Sequence, residues 1–363
     1  MLINCLTVRQ FRCFTERVFD FQGAKFIVIL GKNGVGKSSL LEALHYGCYL
    51  RSFRTHVHKD LVADSSDHFF LSVDFNLEQI SSRDQLTIGF SEKEGKLVRL
   101  NQKIVQSYKE LTAQYRIVTL TADDVQLIQG APERRRDFLN YSLLLARPDL
   151  ITCFKEFKTI LEQRNSLLMQ GNVHNDELVV WTEKLWYVSQ LLQQARIAML
   201  EDIEKRVNLL LATYFSATEG ALTVRLAYTI KGGTDVDFAT WWESWQAKQL
   251  FTERRFGRSL FGAHLDDVII SFQLRRARVF ASRGQQKLIV FLLKIAQTQA
   301  ISLQGEPAVL LLDDFLTDFD EQRIADCLSV LAHLNVQIFV TSPLSHTTFF
   351  KDHSNDTFFI KMD

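Results

Sequence analysis

The chain has 363 residues, of which 47% are hydrophobic, so it can bury a large core and form two or three domains. Its 42 Lys and Arg residues balance its 42 Asp and Glu residues, which excludes an overall basic excess and leaves local patches as candidate nucleic-acid contacts. No apolar run approaches the roughly 20 residues of a membrane span, and the charged N-terminus does not resemble a signal peptide. We therefore expect a cytoplasmic protein that does not contact membranes.

The N-terminal region predicts strands, a phosphate-binding loop and a helix. Residues 2–21 alternate apolar and polar side chains over much of their length, which indicates a pair of half-buried strands. The apolar strand FIVIL (26–30) then leads into GKNGVGKS (31–38), which matches the pattern G-x-x-x-x-G-K-[ST] at every fixed position. The segment 38–50 predicts an amphipathic helix, so a bound phosphate would lie at a helix N-terminus, where the dipole favours an anion.

The phosphate loop predicts a nucleotide site in which each fixed residue has a role. Its glycines allow backbone N–H groups to turn toward a phosphate without a Cβ in the way. Lys37, which we expect to be exposed when no nucleotide is bound, supplies a cation to the β and γ phosphates, and Ser38 offers its hydroxyl to Mg²⁺. The predicted nucleotide-binding residues of the loop are Gly31, Lys32, Asn33, Gly34, Val35, Gly36, Lys37, Ser38 and Ser39.

Strand patterns dominate the next part of the chain. RSFRT (51–55) places two arginines behind the first helix, where they either reach the nucleotide phosphates or lie on the surface. Residues 68–120, which end in YRIVTL (115–120), predict antiparallel strands that form a β subdomain beside the nucleotide.

Helical patterns begin at Gly130, with Pro132 at a first-turn position. The segments 153–170 and 177–215 predict two long helices, and 171–176 predicts the turn between them. We interpret this pair as a helical arm.

Three basic segments are candidate DNA contacts. They are ERRR (133–136), ERRFGR (253–258) and LRRAR (274–278). For each one the alternative is a solvated helix face or loop.

Two C-terminal stretches complete the predicted nucleotide chemistry. In AVLLLDDF (308–315), an apolar strand ends in Asp313 and Asp314 at the edge where open α/β sheets bind ligands. Asp313 would hold Mg²⁺, through water or with Ser38. Asp314 would orient or deprotonate the attacking water, which makes it a predicted catalytic residue together with Lys37. In ASRGQQKLIVFLLKIAQ (281–297), a long helix follows a serine that could be a simple helix cap.

Taken together, GKNGVGKSS, ASRGQQK, LLLDDF and TDFD (317–320) resemble the ABC-type ATPase heads of the SMC class and, within that class, the RecF family. The resemblance implies an α/β P-loop ATPase head with an antiparallel β subdomain and an inserted helical lobe. The corresponding domains are residues 1–125 and 258–363 for the head and 126–257 for the helical arm lobe. It further implies that the D-loop aspartate is Asp320 and that the signature motif, which contacts the nucleotide of an opposing subunit, is Ser282, Arg283, Gly284 and Gln285.

The resemblance also implies a function. An ATP- and Mg²⁺-dependent homodimer would clamp double-stranded, gapped or junction DNA and help load recombinase in repair and replication restart, with RecO and RecR as partners. Aspartate rather than glutamate at position 314 suits slow, switch-like hydrolysis, and the resemblance implies a weak ATPase that DNA stimulates. Two alternatives stay open: an ABC-type ATPase coupled to a transporter or nuclease partner, and a clamp that binds nucleotide without hydrolysing it.

The chain departs from the family pattern at several positions. Ala263 and Leu265 stand in GAHLDD where a proline and a basic residue are usual, and TDFD replaces SELD. No glutamine is assigned to the Q-loop, and the switch position falls near Thr341 or Ser342.

Overall fold

The computed structural model describes residues 1–64, 66–77, 82–106, 111, 114–170, 175–215, 222–232, 236–302, 308–344, 350 and 357–363. The chain divides into two compact units. The first unit comprises Met1–Asp124, Leu210–Gly220 and Phe291–Asp363, and the second comprises Val125–Leu209 and Ala221–Val290. Residues 258–290, which the sequence analysis assigns to the C-terminal part of the head, fall in the second unit.

The strands, in chain order, are β1 (Leu2–Phe11), β2 (Phe14–Asp20), β3 (Phe26–Gly31), β4 (His68–Leu77), β5 (Ser82–Ser91), β6 (Gly95–Leu100), β7 (Lys103–Ile104), β8 (Arg116–Leu120), β9 (Val224–Thr229), β10 (Asp267–Phe272), β11 (Arg275–Arg276), β12 (Ala308–Leu312), β13 (Gln337–Ser342) and β14 (Thr357–Met362). The α-helices of the described residues are α1 (Lys37–Tyr49), α2 (Gln126–Gln129), α3 (Pro132–Ala146), α4 (Ile151–Met169), α5 (Asn175–Tyr214), α6 (Phe238–Lys248), α7 (Leu250–Phe256), α8 (Ala277–Phe280), α9 (Arg283–Ser302) and α10 (Glu321–Ala332). None of the helices described is both long and apolar enough to cross a membrane.

A five-stranded parallel sheet in the first unit has the order β14, β3, β13, β12, β8. The prediction that YRIVTL belongs to the antiparallel subdomain is wrong, because β8 pairs in parallel with β12. Every residue of β8 is buried. Parallel strands covered on both faces usually consist of a continuous apolar run, and the buried Arg116 and Thr119 interrupt that pattern in YRIVTL.

The antiparallel sheet of the first unit has the order β2, β1, β4, β5, β6, β7. It confirms the predicted N-terminal strand pair and the β subdomain. β6 and β7 form a hairpin whose two loop residues, Asn101 and Gln102, have positive φ angles of 50° and 68°. Two-residue hairpin loops favour this conformation because its twist matches that of the strands.

Helix α1 is buried around its circumference, so the prediction of an amphipathic helix is wrong. All of its residues except Ser38 are buried. Strands of both sheets contact it, including β4 and β8. A helix covered on both sides needs no polar face, and the few polar residues of this segment must find partners inside the protein.

Three of the predicted helices lie in the second unit, except for the end of α5 from Leu210, which belongs to the first unit. α3 begins with Pro132 in its first turn, and α4 and α5 correspond to the two arm helices. The 40 residues of α5 span about 60 Å at 1.5 Å per residue. Of the predicted turn between the arm helices, residues 171–174 lie outside the described residues. β11, β10 and β9 form a three-stranded antiparallel sheet.

Candidate functional site

Polar groups collect at one edge of the parallel sheet. β3 ends at Gly31, where the phosphate loop begins, and β12 is followed by Asp313. The register pairs Leu312 with Val340, so Thr341 is the next residue of β13 at the level of Asp313. Since neighbouring strands of this sheet are parallel, their carboxyl ends meet at the same edge, which is where α/β sheets bind ligands.

Lys37 lies inside the phosphate loop. The prediction of an exposed side chain is wrong, because this residue is only 6% exposed. Its Nζ donates hydrogen bonds to the carbonyl oxygens of Gly31 and Lys32, each at 2.9 Å. The loop's own carbonyl groups therefore hold the ammonium group in place, and a phosphate would take over their role as hydrogen-bond acceptors.

The glycines of the loop are required for different reasons. Gly36 has a φ of 101°, and a Cβ there would lie 2.6 Å from the Sγ of Cys13. A Cβ at Gly31 would lie 2.7 Å from the carbonyl oxygen of Met362, so the neighbouring strand excludes a side chain. Of the other predicted loop residues, Lys32, Asn33 and Gly34 are exposed, Val35 is partly buried and Ser39 is buried.

Ser38 and Asp313, the two predicted magnesium ligands, are in contact. Ser38 Oγ donates to Asp313 Oδ1 at 2.9 Å, and Thr341 Oγ1 donates to the same oxygen at 3.0 Å. Burial raises the pKa of the Asp313 carboxyl group, while the two hydroxyl hydrogen bonds and the positive charge of Arg54 oppose that change. The sheet edge therefore brings together residues that are 275 positions apart.

This donor set fits Mg²⁺. The ion usually takes only one or two carboxylates from a protein and completes its octahedron with phosphate oxygens and water. One hydroxyl and one carboxylate meet that requirement when a nucleotide phosphate lies in the loop. In the part of the chain that the structure describes, no group of three or more His, Cys, Asp or Glu side chains could hold a metal ion.

Asp314 has an unusual conformation and an unused oxygen. Its φ is 50°, in the left-handed region that aspartate tolerates better than most residues. Its backbone N–H donates to Thr341 Oγ1 at 2.8 Å. Oδ1 is buried and, among the described residues, has no hydrogen-bond partner. A carboxylate oxygen with free acceptor capacity is what a proton acceptor needs.

The turn at Ser282–Gln285 forms a capping box at the start of α9. Gln285 N–H donates to Ser282 Oγ at 3.2 Å, and Ser282 N–H donates to Gln285 Oε1 at 2.9 Å. Arg283 is exposed, and a Cβ at Gly284 would meet no atom within 4 Å. The structure thus shows the helix cap, and the contact of this turn with another subunit's nucleotide stays a prediction.

Asp320 also caps a helix. It precedes α10 and accepts a hydrogen bond from the backbone N–H of Arg323 at 2.8 Å. The residue is exposed. Its predicted role as the D-loop aspartate stays a prediction.

The sequence and fold match known proteins over nearly the whole chain. The family model described as RecF/RecN/SMC N terminal domain matches residues 2–361. The DNA replication and repair protein RecF of Citrifermentans bemidjiense is 30% identical over 346 residues, which cover 93% of each chain. That of Chloroherpeton thalassium is 31% identical over 340 residues, 90% of each chain. The chain belongs to the RecF family.

Solved structures confirm the predicted fold class. The recombination mediator protein RecF–ATP structure of the RecFOR pathway has a TM-score of 0.81 at 22% identity, covering 94% of this chain and 92% of that one. The Smc head domain of Pyrococcus furiosus has a TM-score of 0.59 at 14% identity, covering 100% and 94%. The fold is therefore the α/β head of the RecF and SMC ATPases.

One departure from the RecF pattern has a local structural consequence. Ala263 replaces the usual proline, and its backbone N–H, which proline lacks, donates to Ser189 Oγ at 3.3 Å. In the same GAHLDD element, the buried Asp266 accepts hydrogen bonds from Gln193 Nε2 and Tyr228 Oη, each at 2.8 Å. This element is thus anchored within the second unit.

Glu42, on the helix that follows the phosphate loop, is not among the predicted site residues. Its carboxylate is fully buried and accepts hydrogen bonds from Arg12 Nη2 at 2.7 Å and from Ser52 Oγ. Arg54 Nη1 also lies 3.5 Å from it. One of the two RSFRT arginines is therefore tied to the helix that follows the phosphate loop. The available signal was an acidic residue within the apolar run SSLLEALHY, because a buried carboxylate requires a cation.

Proposed function

We propose that this RecF-family chain binds ATP with Mg²⁺ at the phosphate loop and hydrolyses it slowly. The observation that carries the proposal is the 2.9 Å hydrogen bond between Ser38 Oγ and Asp313 Oδ1, which joins the loop to the end of β12. Lys37 contacts the β and γ phosphates. Mg²⁺ neutralises phosphate charge when bound.

Asp314 acts on the attacking water in this proposal. Its buried Oδ1 has an unused acceptor site among the described residues, so it can hold the water and accept its proton. The Asp314 backbone N–H donates a hydrogen bond to Thr341 Oγ1, which in turn donates to Asp313 Oδ1, so both aspartates contact the same threonine. Thr341 thereby fixes the relative position of the metal ligand and the base.

Two copies of the chain close around two nucleotides. The turn Ser282–Gln285 of one copy contacts the nucleotide held by the other, together with Asp320. Two facts support this step: Ser282 and Arg283 are exposed, and the space around the α-carbon of Gly284 is open. A helix N-terminus at this turn adds N–H donors and a favourable dipole toward a phosphate.

The cellular role follows from the relatives. They are named DNA replication and repair proteins, and the similar solved structure is a recombination mediator in the RecFOR pathway. The dimer accordingly clamps DNA at single-strand gaps and junctions, and with RecO and RecR it helps to load recombinase. Hydrolysis opens the clamp.

Two measurements test the proposal: ATP turnover with and without gapped duplex DNA, and the mass of the particle by light scattering with and without ATP. We expect slow turnover that rises with DNA and a shift from monomer to dimer that requires ATP. ATP turnover that DNA does not change indicates an ATPase that is coupled to a transporter or nuclease partner. ATP binding without turnover indicates a nucleotide-gated clamp.

A further inference from the structure

The three basic segments have different roles in the structure. In ERRR (133–136), Arg135 forms two hydrogen bonds with the Asp267 carboxylate, at 2.7 and 3.0 Å. Arg136 Nη1 donates to the carbonyl oxygen of Asp266 at 2.8 Å. Both side chains hold α3 against the start of β10, so this segment serves the fold.

The segment ERRFGR (253–258) is partly used by the fold. Glu253 is buried and pairs with the buried Arg164 at 2.7 Å. Arg255 and Arg258 each lie 5.8 Å from the ring centroid of the half-exposed Phe256. Two arginines of this segment therefore have an aromatic neighbour.

The third segment lies at the tip of a hairpin. β10 and β11 are joined by Gln273 and Leu274, whose φ angles are 48° and 63°. Such loops favour asparagine and glycine, because other residues are strained at positive φ. Leu274 is nevertheless 86% exposed. Neither backbone preference nor burial explains a leucine here, and strained residues cluster where they contact ligands.

The residues 273–280 form what we call the hairpin surface. All of them except Ala277 are exposed. Its apolar side chains are Leu274, Val279 and Phe280, and its cations are Arg275, Arg276 and Arg278. Arg275 lies 5.7 Å from the ring centroid of Phe280, and within the described part of the chain none of the three arginines forms an ion pair.

The segment that contains the hairpin surface has basic residues but no acidic ones. The chain as a whole has as many acidic as basic residues, yet no Asp or Glu occurs between Asp267 and Glu306. The hairpin surface itself therefore carries three arginines and no acidic side chain, which favours a polyanion.

We propose that the hairpin surface binds single-stranded DNA, an inference that rests on the proposed DNA-dependent function. The arginines contact phosphates, and the three apolar side chains contact the faces of unstacked bases. A duplex hides its base faces by stacking, so it would use the arginines and leave the apolar side chains in water. The mixture of both kinds of side chain fits a single strand.

The hairpin surface is hydrogen-bonded to the start of α9. Gln286, in the first turns of α9, is buried, and its Nε2 donates to the carbonyl oxygens of Ala277 at 3.3 Å and Ala281 at 3.0 Å. Gln129 Nε2 donates to the Oε1 atom of Gln286 at 2.7 Å. These hydrogen bonds hold the hairpin surface against α9, the helix that Ser282 caps. The proposed function places that turn against a nucleotide, so we expect a strand bound to the hairpin surface to alter ATP turnover.

Two double variants with the same change in charge test the proposal. Arg275→Ala with Arg276→Ala removes two cations from the hairpin surface, and Arg255→Ala with Arg258→Ala removes two from the other exposed basic segment. Binding of a labelled oligothymidylate and of a labelled duplex is measured by fluorescence anisotropy over a range of salt concentrations. The measurements are made with and without ATP and Mg²⁺.

We expect the first double variant to bind the single strand about 25-fold more weakly at 0.1 M salt, with a slope of log K against log salt reduced by about 1.4. The matched variant should bind as the wild type does. Leu274→Asn should weaken single-strand binding by about fivefold while keeping or raising the melting temperature, because asparagine tolerates the left-handed conformation.

Unchanged single-strand binding by the first double variant overturns the proposal. A loss confined to the duplex also overturns it and assigns the surface to double-stranded DNA. A wild type that binds neither DNA overturns both this proposal and the proposed function. If the wild type binds both DNA and a fluorescent ATP analogue, and the hairpin substitutions leave DNA binding unchanged, this proposal alone is overturned.

Discussion

The phosphate loop and the signature turn at Ser282–Gln285 differ in how their functional groups are held. Lys37 and Ser38 are hydrogen-bonded to groups of the same unit, the loop carbonyls and Asp313. Ser282 is exposed, its side-chain bond lies within its own helix, and the space around Gly284 is open. One half of the proposed site is therefore preorganised inside a single chain, whereas the other half has surface left for a partner.

This difference predicts different consequences of substitution. Changes in the phosphate loop should alter ATP binding by the monomer, because the loop acts on its own. Changes in the signature turn should alter assembly and turnover while leaving monomer binding intact. The following experiments test that separation.

Lys37→Ala should have the largest effect. We expect ATP affinity to fall on the order of 100-fold or more, since the ammonium group contributes charge-assisted hydrogen bonds to two phosphates. Because Lys37 is buried, a modest drop in melting temperature should accompany this loss. Titration with a fluorescent ATP analogue measures the affinity, and Lys25→Ala, which removes an exposed lysine before β3, is the control. Unchanged affinity would remove the loop from the nucleotide site.

Asp314→Asn should lower turnover by about 100-fold and leave ATP affinity within a few-fold of wild type. An amide keeps the shape of the side chain and tolerates the left-handed backbone, but it cannot accept a proton from water. Single-turnover hydrolysis and equilibrium binding, measured on the same preparation, separate the two effects. Wild-type turnover in this variant would exclude Asp314 as the base.

Ser282→Arg should reduce ATP-driven dimerisation on the order of tenfold or more and leave ATP binding by the monomer unchanged. The side chain is exposed, so arginine fits the monomer but obstructs a close approach by another subunit. Loss of the cap costs about 1 kcal/mol of stability. Ser282→Asn keeps the cap and is the matched control for stability.

Mixing Ser282→Arg with Lys37→Ala subunits sharpens the test. A mixed dimer pairs one intact loop with one intact turn, so partial ATPase activity should return although neither variant is active alone. If Ser282→Arg dimerises with ATP as the wild type does, the two halves do not form a shared site.

The smallest effect concerns His45, on the helix that begins with Lys37. Burial, followed by the charges of Arg51 and Lys294, lowers its pKa from 6.5 to about 3. The unfolded chain therefore takes up a proton before the folded protein does, and the stability contributed by neutral His45 is lost as the pH falls from 6.5 toward 3.

At pH 5 this loss is about 2 kcal/mol. His45→Gln, which removes the titrating group and can still bond Thr119, should flatten the dependence of unfolding free energy on pH in urea titrations. An unchanged pH dependence would show that His45 does not contribute to acid destabilisation.

Features that are local in sequence are the ones that the sequence predicts correctly. GKNGVGKS is contiguous, and its loop conformation is set by its own glycines and the adjacent strand and helix. The helices α3, α4 and α5 were recognisable from periodicity and from Pro132. The pattern of YRIVTL predicts a strand but not the sheet to which it belongs, because its partner β12 lies almost 200 residues later.

The family, the fold class and the residue types of the phosphate loop can be read from contiguous sequence patterns. The burial of Lys37, the pairing of Glu42 with Arg12 and the contacts of Thr341 with both Asp313 and Asp314 are visible only in the folded protein. The tertiary structure also decides which basic segment is left free of ion pairs within the described residues. These features depend on contacts between residues far apart in the chain, and such contacts exist only after the sheets and helices have packed.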